Sequence, residues 1–134
     1  TVANDITARD RQAVPHPAGG FEYAPGPGKN FDTSAPLGPW IVTRDEVPDP
    51  QRLGLRTWVN DELRQDANTA DLIFDIPTLI ETISAGIELH PGDIIVTGTP
   101  VGVGIGFKPP KFLKAGDVVR ISIDGIGTIN NTVR

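Results

Sequence analysis

Ile121-Ser122-Ile123-Asp124-Gly125-Ile126-Gly127-Thr128-Ile129 decides the fold class, because Asp124-Gly125 between two apolar, β-forming runs is the pattern of a tight hairpin. Just upstream, Ala115-Gly116-Asp117 leads into Val118-Val119-Arg120-Ile121, and Pro91-Gly92-Asp93 leads in the same way into Ile94-Ile95-Val96-Thr97. Proline sets φ and glycine accepts a positive φ, so 91–93 fits a type II turn feeding a buried strand over 94–97. Two unlike copies of this device are too few for a repeat architecture. Further towards the N-terminus, Arg56-Thr57-Trp58-Val59 and Leu63-Arg64-Gln65 read as a second hairpin turning at Asn60-Asp61, Pro48-Asp49-Pro50 as a turn, and Trp40-Ile41-Val42-Thr43 as a strand. One amphipathic helix stands out: Ile76, Leu79, Ile80, Ile83 and Ile87 follow the N-cap candidate Asp75 at helical spacing, with Gly86 placed to close it and the apolar stripe expected to face the core. Thr7 with Asp10 three residues later forms a weak capping box for a short helix. The prolines and glycines of 15–28 predict a long surface loop ending at Lys29. Strands outnumber helices, so the expectation is a β-rich α+β fold over one domain, 1–134, with a mixed or barrel-like sheet and one or two short helices.

Composition narrows the chemistry. The chain has no cysteine and two isolated histidines, His16 and His90, which excludes disulfides and thiolate metal sites and leaves oxygen as the ligand for any metal. A formal net charge of −5 with dispersed basic residues argues against nucleic acid. Apolar runs such as Ile94-Ile95-Val96 are far too short to span a membrane, and no basic-then-apolar N-terminal segment reads as a signal peptide, so a cytoplasmic location is the default expectation, with any address left to residues upstream. The chain starts at Thr1, lacks methionine and carries a dense charged cluster within its first residues, which reads as the C-terminal piece of a longer polypeptide.

Three stretches carry candidate chemistry. In Asn4-Asp5-Ile6-Thr7-Ala8-Arg9-Asp10, Asp5 is a hard oxygen ligand four residues from a fixed positive charge at Arg9, although these residues alone favour an ordinary helix-end ion pair. In Gly28-Lys29-Asn30-Phe31-Asp32-Thr33 a lysine stands at the end of the loop, either a charge for an enolate or carboxylate or a solvated side chain. In Thr97-Gly98-Thr99-Pro100-Val101-Gly102-Val103-Gly104 a strand ends in a glycine-rich turn whose N–H groups and Thr99 hydroxyl suit an anion, although the lysine and spacing of a nucleotide loop are missing and an ordinary turn is the favoured reading of these residues alone. His16 and His90 lack the partners of a nucleophilic triad. Lys108, Lys111 and Lys114 around Pro109-Pro110 read as a solvated face or the cover of a pocket, and Trp40 and Trp58 as packing residues.

Taken in order, the charged cluster continued through Arg11-Gln12, then Gly28 to Thr33, then Gly92-Asp93-Ile94-Ile95-Val96-Thr97-Gly98-Thr99-Pro100, closely resemble the fumarylacetoacetate hydrolase family. Val59-Asn60-Asp61-Glu62-Leu63-Arg64-Gln65 and Phe107-Lys108-Pro109-Pro110-Lys111-Phe112-Leu113 match as well. Phe31 to Trp40 looks most similar to the branch of 2-hydroxyhepta-2,4-diene-1,7-dioate isomerases and related acylpyruvate enzymes. The resemblance implies a metal-dependent, homodimeric enzyme of aromatic catabolism that acts on a 2-oxo or 2-enol carboxylic acid. Isomerisation comes first among the implied reactions, followed by acylpyruvate hydrolysis and oxaloacetate decarboxylation. It implies Asp5 as a ligand to Mg²⁺ or Mn²⁺, with Ca²⁺ as a further candidate, completed by two glutamates from earlier in the polypeptide. Lys29 and Thr99 would be catalytic, and Arg9, Gln12, Lys29, Thr33, Gly98 and Thr99 would bind substrate. The family's histidine–glutamate acid/base pair would come from an N-terminal lid. The rival expectation is a non-catalytic fragment that keeps the fold and lacks part of the metal site.

Overall fold

The structure, a computed structural model, describes every residue except Ala24. These residues gather into two compact units: Ala3–Leu37, and a larger one made of Thr1–Val2 with Gly38–Arg134. Strand β1 (Val2–Ala3) leads from the larger unit into the smaller one.

The smaller unit begins with a 3-10 turn at Arg9–Arg11. Its cap position is Ala8, with no side-chain cap bond, so Thr7 does not cap it; the Ala8 N–H instead donates to the Gly28 carbonyl at 2.9 Å. The expected loop over 15–28 largely takes regular structure among the described residues, which leave out Ala24. Strands β2 (Ala13–Pro15) and β3 (Phe21–Tyr23) pair antiparallel around the turn from His16 to Gly20, and helix α1 (Pro25–Lys29) follows. Proline tolerates both roles because it needs no N–H at the first turn of a helix, where the donors have no intrahelical partner in any case. The Asn30 N–H closes α1 on the Gly26 carbonyl at 2.8 Å. Strand β4 (Leu37–Gly38) returns the chain to the larger unit.

The larger unit is built on a four-stranded antiparallel sheet formed by β5 (Gly54–Val59), β6 (Glu62–Asn68), β7 (Val118–Ile123) and β8 (Gly127–Thr132), in the order β6-β5-β7-β8. The β5–β6 hairpin turns at Asn60-Asp61 as expected, with Asn60 at φ 55°. The β7–β8 hairpin turns at Asp124-Gly125 and is one residue wider than expected, since Ile123 pairs with Gly127. Along β7 exposed Val118 and Arg120 alternate with buried Val119 and Ile121, the period-two signature of a sheet with one buried face. Val119 lies opposite Val59 and Ile121 opposite Ile129; with Val2 these are the buried apolar core. On the other face Arg120 stacks 4.3 Å from the ring of its cross-strand neighbour Trp58.

Helix α2 (Ile76–Ser84) forms where expected, and Asp75 caps it by accepting from the Thr78 N–H at 2.8 Å. Its apolar stripe is not buried: Ile80 is 44% and Ile87 62% exposed, and Ile83 is only half-buried. The turn at His90–Asp93 forms with Gly92 at φ 102°, and that at Lys114–Asp117 repeats it with Gly116 at φ 92°. In both, the aspartate carboxylate accepts from the backbone N–H three residues earlier, at 2.8 Å. The second turn feeds β7. The first feeds no strand, and the expected strands at 94–97 and 40–43 are both absent among the described residues. A β-branched run selects extended backbone, but a strand exists only where a ladder partner accepts its N–H groups. Residues 94–97 have no backbone hydrogen bond among the described residues.

Candidate active-site residues

In the smaller unit, Asp5 is held by its neighbours: the Asn4 N–H donates to Pro36 O and the Ile6 N–H to Ser34 O, both at 3.0 Å. Lys29, the last residue of α1, donates from Nζ to Asp5 Oδ2 at 2.5 Å, with Asp5 O at 3.4 Å. The Lys29 side chain is 35% and that of Asp5 44% exposed, so solvent screening limits the pair to at most about 1 kcal/mol of stability. In the same unit the Arg9 guanidinium donates to Gln12 Oε1 at 2.8 Å, and Gln12 Nε2 donates to the Tyr23 hydroxyl at 3.3 Å. Gln12 is buried, and its amide is satisfied at both ends, which fixes the Arg9 head. Gly28 makes this packing achievable: a β-carbon there would lie 2.1 Å from Gln12 Cγ and 3.0 Å from Ala8 O. Thr33 sits beyond α1, exposed, at the left-handed φ of 63° that threonine rarely adopts.

In the larger unit, Gly98 and exposed Thr99 lie on the segment after the His90–Asp93 turn. The segment is fastened to β6, where Gln65 Nε2 donates to Thr99 Oγ1 at 2.8 Å and to Pro100 O at 3.0 Å. Thr57 pairs with Gln65 and Trp58 with Leu63, so Arg64 is a bulge residue in the ladder. Its carbonyl lies where a β-carbon on Gly102 would be, 1.9 Å away, and Gly102 also has φ 107°. Only glycine lets the loop approach the bulged strand so closely. Beside it, Glu62 accepts a short hydrogen bond from Lys111 and lies 3.1 Å from Arg64 Nε, while both cations stand over Phe107 at 4.9 and 5.1 Å. The Lys111 bond, ahead of the nearby positive charge of Arg64, holds the Glu62 carboxyl below its usual pKa. Lys111 is thus an engaged member of a charge cluster, rather than part of a merely solvated run.

The fold therefore joins Asp5 with Lys29 and Arg9 with Gln12 in one unit, leaves Thr33 exposed nearby in sequence, and presents Gly98 and Thr99 in the other unit. Glu62, Arg64 and Gln65 were missed as candidates, although the motif 59–65 contained all three. Among the described residues no three His, Cys, Asp or Glu side chains gather into a metal-binding group. Asp5 offers a single carboxylate, with Oδ2 engaged by Lys29 and Oδ1 left for a cation, whereas a hard divalent ion takes about six oxygens. The described residues fit a metal only as a partial ligand set.

The chain belongs to the fumarylacetoacetate hydrolase family: the model of the fumarylacetoacetate hydrolase C-terminal domain matches residues 1–134. It is 51% identical over 133 residues to oxaloacetate tautomerase YisK of Bacillus subtilis, covering 99% of this chain and 42% of that protein. Among solved structures it is similar to maleylpyruvate hydrolase from Sphingobium sp. SYK-6 in complex with manganese(II) and pyruvate, with 49% identity, a TM-score of 0.74, and 84% of this chain and 40% of that one covered. It is also similar to 2-hydroxyhepta-2,4-diene-1,7-dioate isomerase from Mycobacterium marinum, with 44% identity, a TM-score of 0.78, and 98% and 45% covered. The chain thus spans less than half the length of these relatives. No helix among the described residues is long and apolar enough to cross a membrane.

Proposed function

We propose that this chain is the C-terminal part of a homodimeric, Mg²⁺- or Mn²⁺-dependent isomerase that moves a proton on a 2-hydroxy-dienoic or 2-oxo dicarboxylic acid, of the 2-hydroxyhepta-2,4-diene-1,7-dioate type. The observation that carries the reading is the exposed Asp5–Lys29 pair, in the same unit as the anchored Arg9. Asp5 supplies one ligand, and the two carboxylates that the family resemblance implies come from outside this chain. When bound, the metal would supply Lewis-acid stabilisation of the enolate oxygen. Lys29 adds a positive charge where that oxygen gains density, a compact ammonium being suited to a localised oxyanion. Arg9, with one donor committed to Gln12, keeps its other N–H groups for a substrate carboxylate. In the larger unit, Thr99 and Gly98 are read as donors to a substrate anion, and in the smaller unit Thr33 is read as a substrate contact, as the family resemblance implies. In the reaction the 2-hydroxyl loses its proton and C2 becomes a carbonyl, the C2=C3 π pair moves to C3=C4, and the C4=C5 pair takes up a proton at C5. Conversion of an oxaloacetate enol to its keto form begins with the same loss and differs only in returning the proton to C3.

A second reading, hydrolytic cleavage of an acylpyruvate, is supported by the likeness to maleylpyruvate hydrolase. A substrate panel on the intact enzyme separates them, following enol absorbance for isomerisation and pyruvate release for cleavage, with Mn²⁺ added and chelator as control. Asp5→Asn and Lys29→Met are each expected to lower turnover by about 10²-fold or more while folding is retained. Ordinary turnover in both variants would refute the assignment.

A further inference from the structure

We infer that Gln65, on the edge strand β6, is a positioning residue that sets the hydrogen-bond polarity of Thr99, so that the threonine hydroxyl points its proton outward to the substrate anion. The inference rests on the reading of Thr99 as a substrate donor.

The polarity follows from the acceptors. The Gln65 side-chain end that meets Thr99 Oγ1 at 2.8 Å also meets Pro100 O at 3.0 Å. A carbonyl oxygen only accepts, so this end is the NH₂ group, and its two hydrogens are divided between Pro100 O and Thr99 Oγ1. Thr99 Oγ1 must then accept from Gln65, which leaves its single O–H hydrogen to be donated elsewhere. Among the described residues no acceptor takes that hydrogen, and Thr99 is exposed. The clamp itself has a rigid base. Gln65 follows the bulge at Arg64, and Gly102 seats the same loop against the Arg64 carbonyl. The loop is therefore held from two directions, and the hydroxyl is ordered before any substrate arrives, which lowers the ordering cost of binding.

The test compares Gln65→Met, which removes the donors, with Gln65→Glu, which replaces them by acceptors of nearly equal size, in the intact enzyme. A carboxylate at this position draws the Thr99 proton inward and turns the oxygen lone pairs towards the anion. The Gln65→Glu variant is expected to lose at least about tenfold more kcat/KM than the Gln65→Met variant. Its loss should shrink as pH falls, because protonation makes the carboxyl a donor again. Equal losses in the two variants, or a pH-independent ratio between them, would overturn the inference, since a merely structural contact would give that result. If Gln65→Glu does not fold, a double-mutant cycle decides: Thr99→Val is expected to cost at least about fivefold less in the Gln65→Met background than in the native one, and additive losses would overturn the inference. Thr99→Val without effect in the native background would instead remove the underlying assignment of Thr99, whatever the Gln65 variants do. Absence of wild-type turnover on the whole substrate panel would remove both.

Discussion

Replacing Gly28 by alanine tests how the smaller unit couples packing to charge placement. The new β-carbon would lie 2.1 Å from Gln12 Cγ, against a comfortable carbon–carbon separation of about 3.5 Å, a shortfall of roughly 1.4 Å. Gln12 is 3% exposed and has little free space to occupy. If it swings away, it gives up the bonds from Arg9 and to Tyr23; if α1 moves instead, the Ala8 N–H to Gly28 O bond breaks. A gain of up to about 1 kcal/mol from replacing a helical glycine opposes this loss. Overpacking and broken hydrogen bonds outweigh it, for a net destabilisation of about 1–3 kcal/mol. Gly26, two residues earlier in the same helix, is the control, because nothing beyond its chain neighbours and the helix's own backbone lies within 4 Å of a β-carbon there. Gly26→Ala should cost clearly less than Gly28→Ala, its one new close contact being with the ring of the following Pro27. Urea unfolding of both variants gives the answer, read as a shift in midpoint at unchanged m. Equal midpoints for the two variants would show that Gln12 does not pack against Gly28 as described, and with it the account of how Arg9 and Lys29 are held would fall.

Three further outcomes are expected. Ile121→Ala, which empties the centre of the buried sheet face, should cost about 2–5 kcal/mol by chemical denaturation, and a loss below about 1 kcal/mol would contradict the placement of the core. Asp117 has a carboxyl pKa lowered mainly by the Asn60 side-chain bond and then by the Lys114 N–H. A lowered folded value means that its stabilising contribution is complete above the unfolded value near about 4 and lost as pH falls through the folded one. Asp117→Asn should therefore flatten the acid limb of a stability–pH curve, and an unchanged limb would refute that role. Gly102→Ala should release the loop from β6, seen as faster amide hydrogen exchange at Gly106 and Lys111, whose N–H groups donate to Val103 O and Gly104 O at 2.9 Å; unchanged exchange would show that the approach to Arg64 is not tight.

Local patterns were legible wherever the partner lies close in sequence. Both hairpins, the Asp75 cap and the paired glycine–aspartate turns depend on contacts across a few residues, so φ preferences and short polar side chains specify them. The candidate residues Asp5, Arg9, Gln12, Lys29 and Thr99 were legible as motifs, and the family followed from their order. What failed were inferences that needed a distant partner. Residues 94–97 have strand composition without a ladder, the stripe of α2 lies open, and the supposed loop of 15–28 contains a hairpin and a helix.

By itself, then, the sequence determined the β-rich class, the turns and the chemical character of the site residues, because these depend on side-chain type and spacing along the chain. Only the tertiary structure decided that Lys29 meets Asp5 across 24 residues, that Gln65 clamps Thr99 across 34, and that Lys111 belongs to Glu62. The reason is geometric: a hydrogen bond or ion pair acts over a few ångströms, and which distant groups come that close is set by the packing of the whole chain rather than by any local preference.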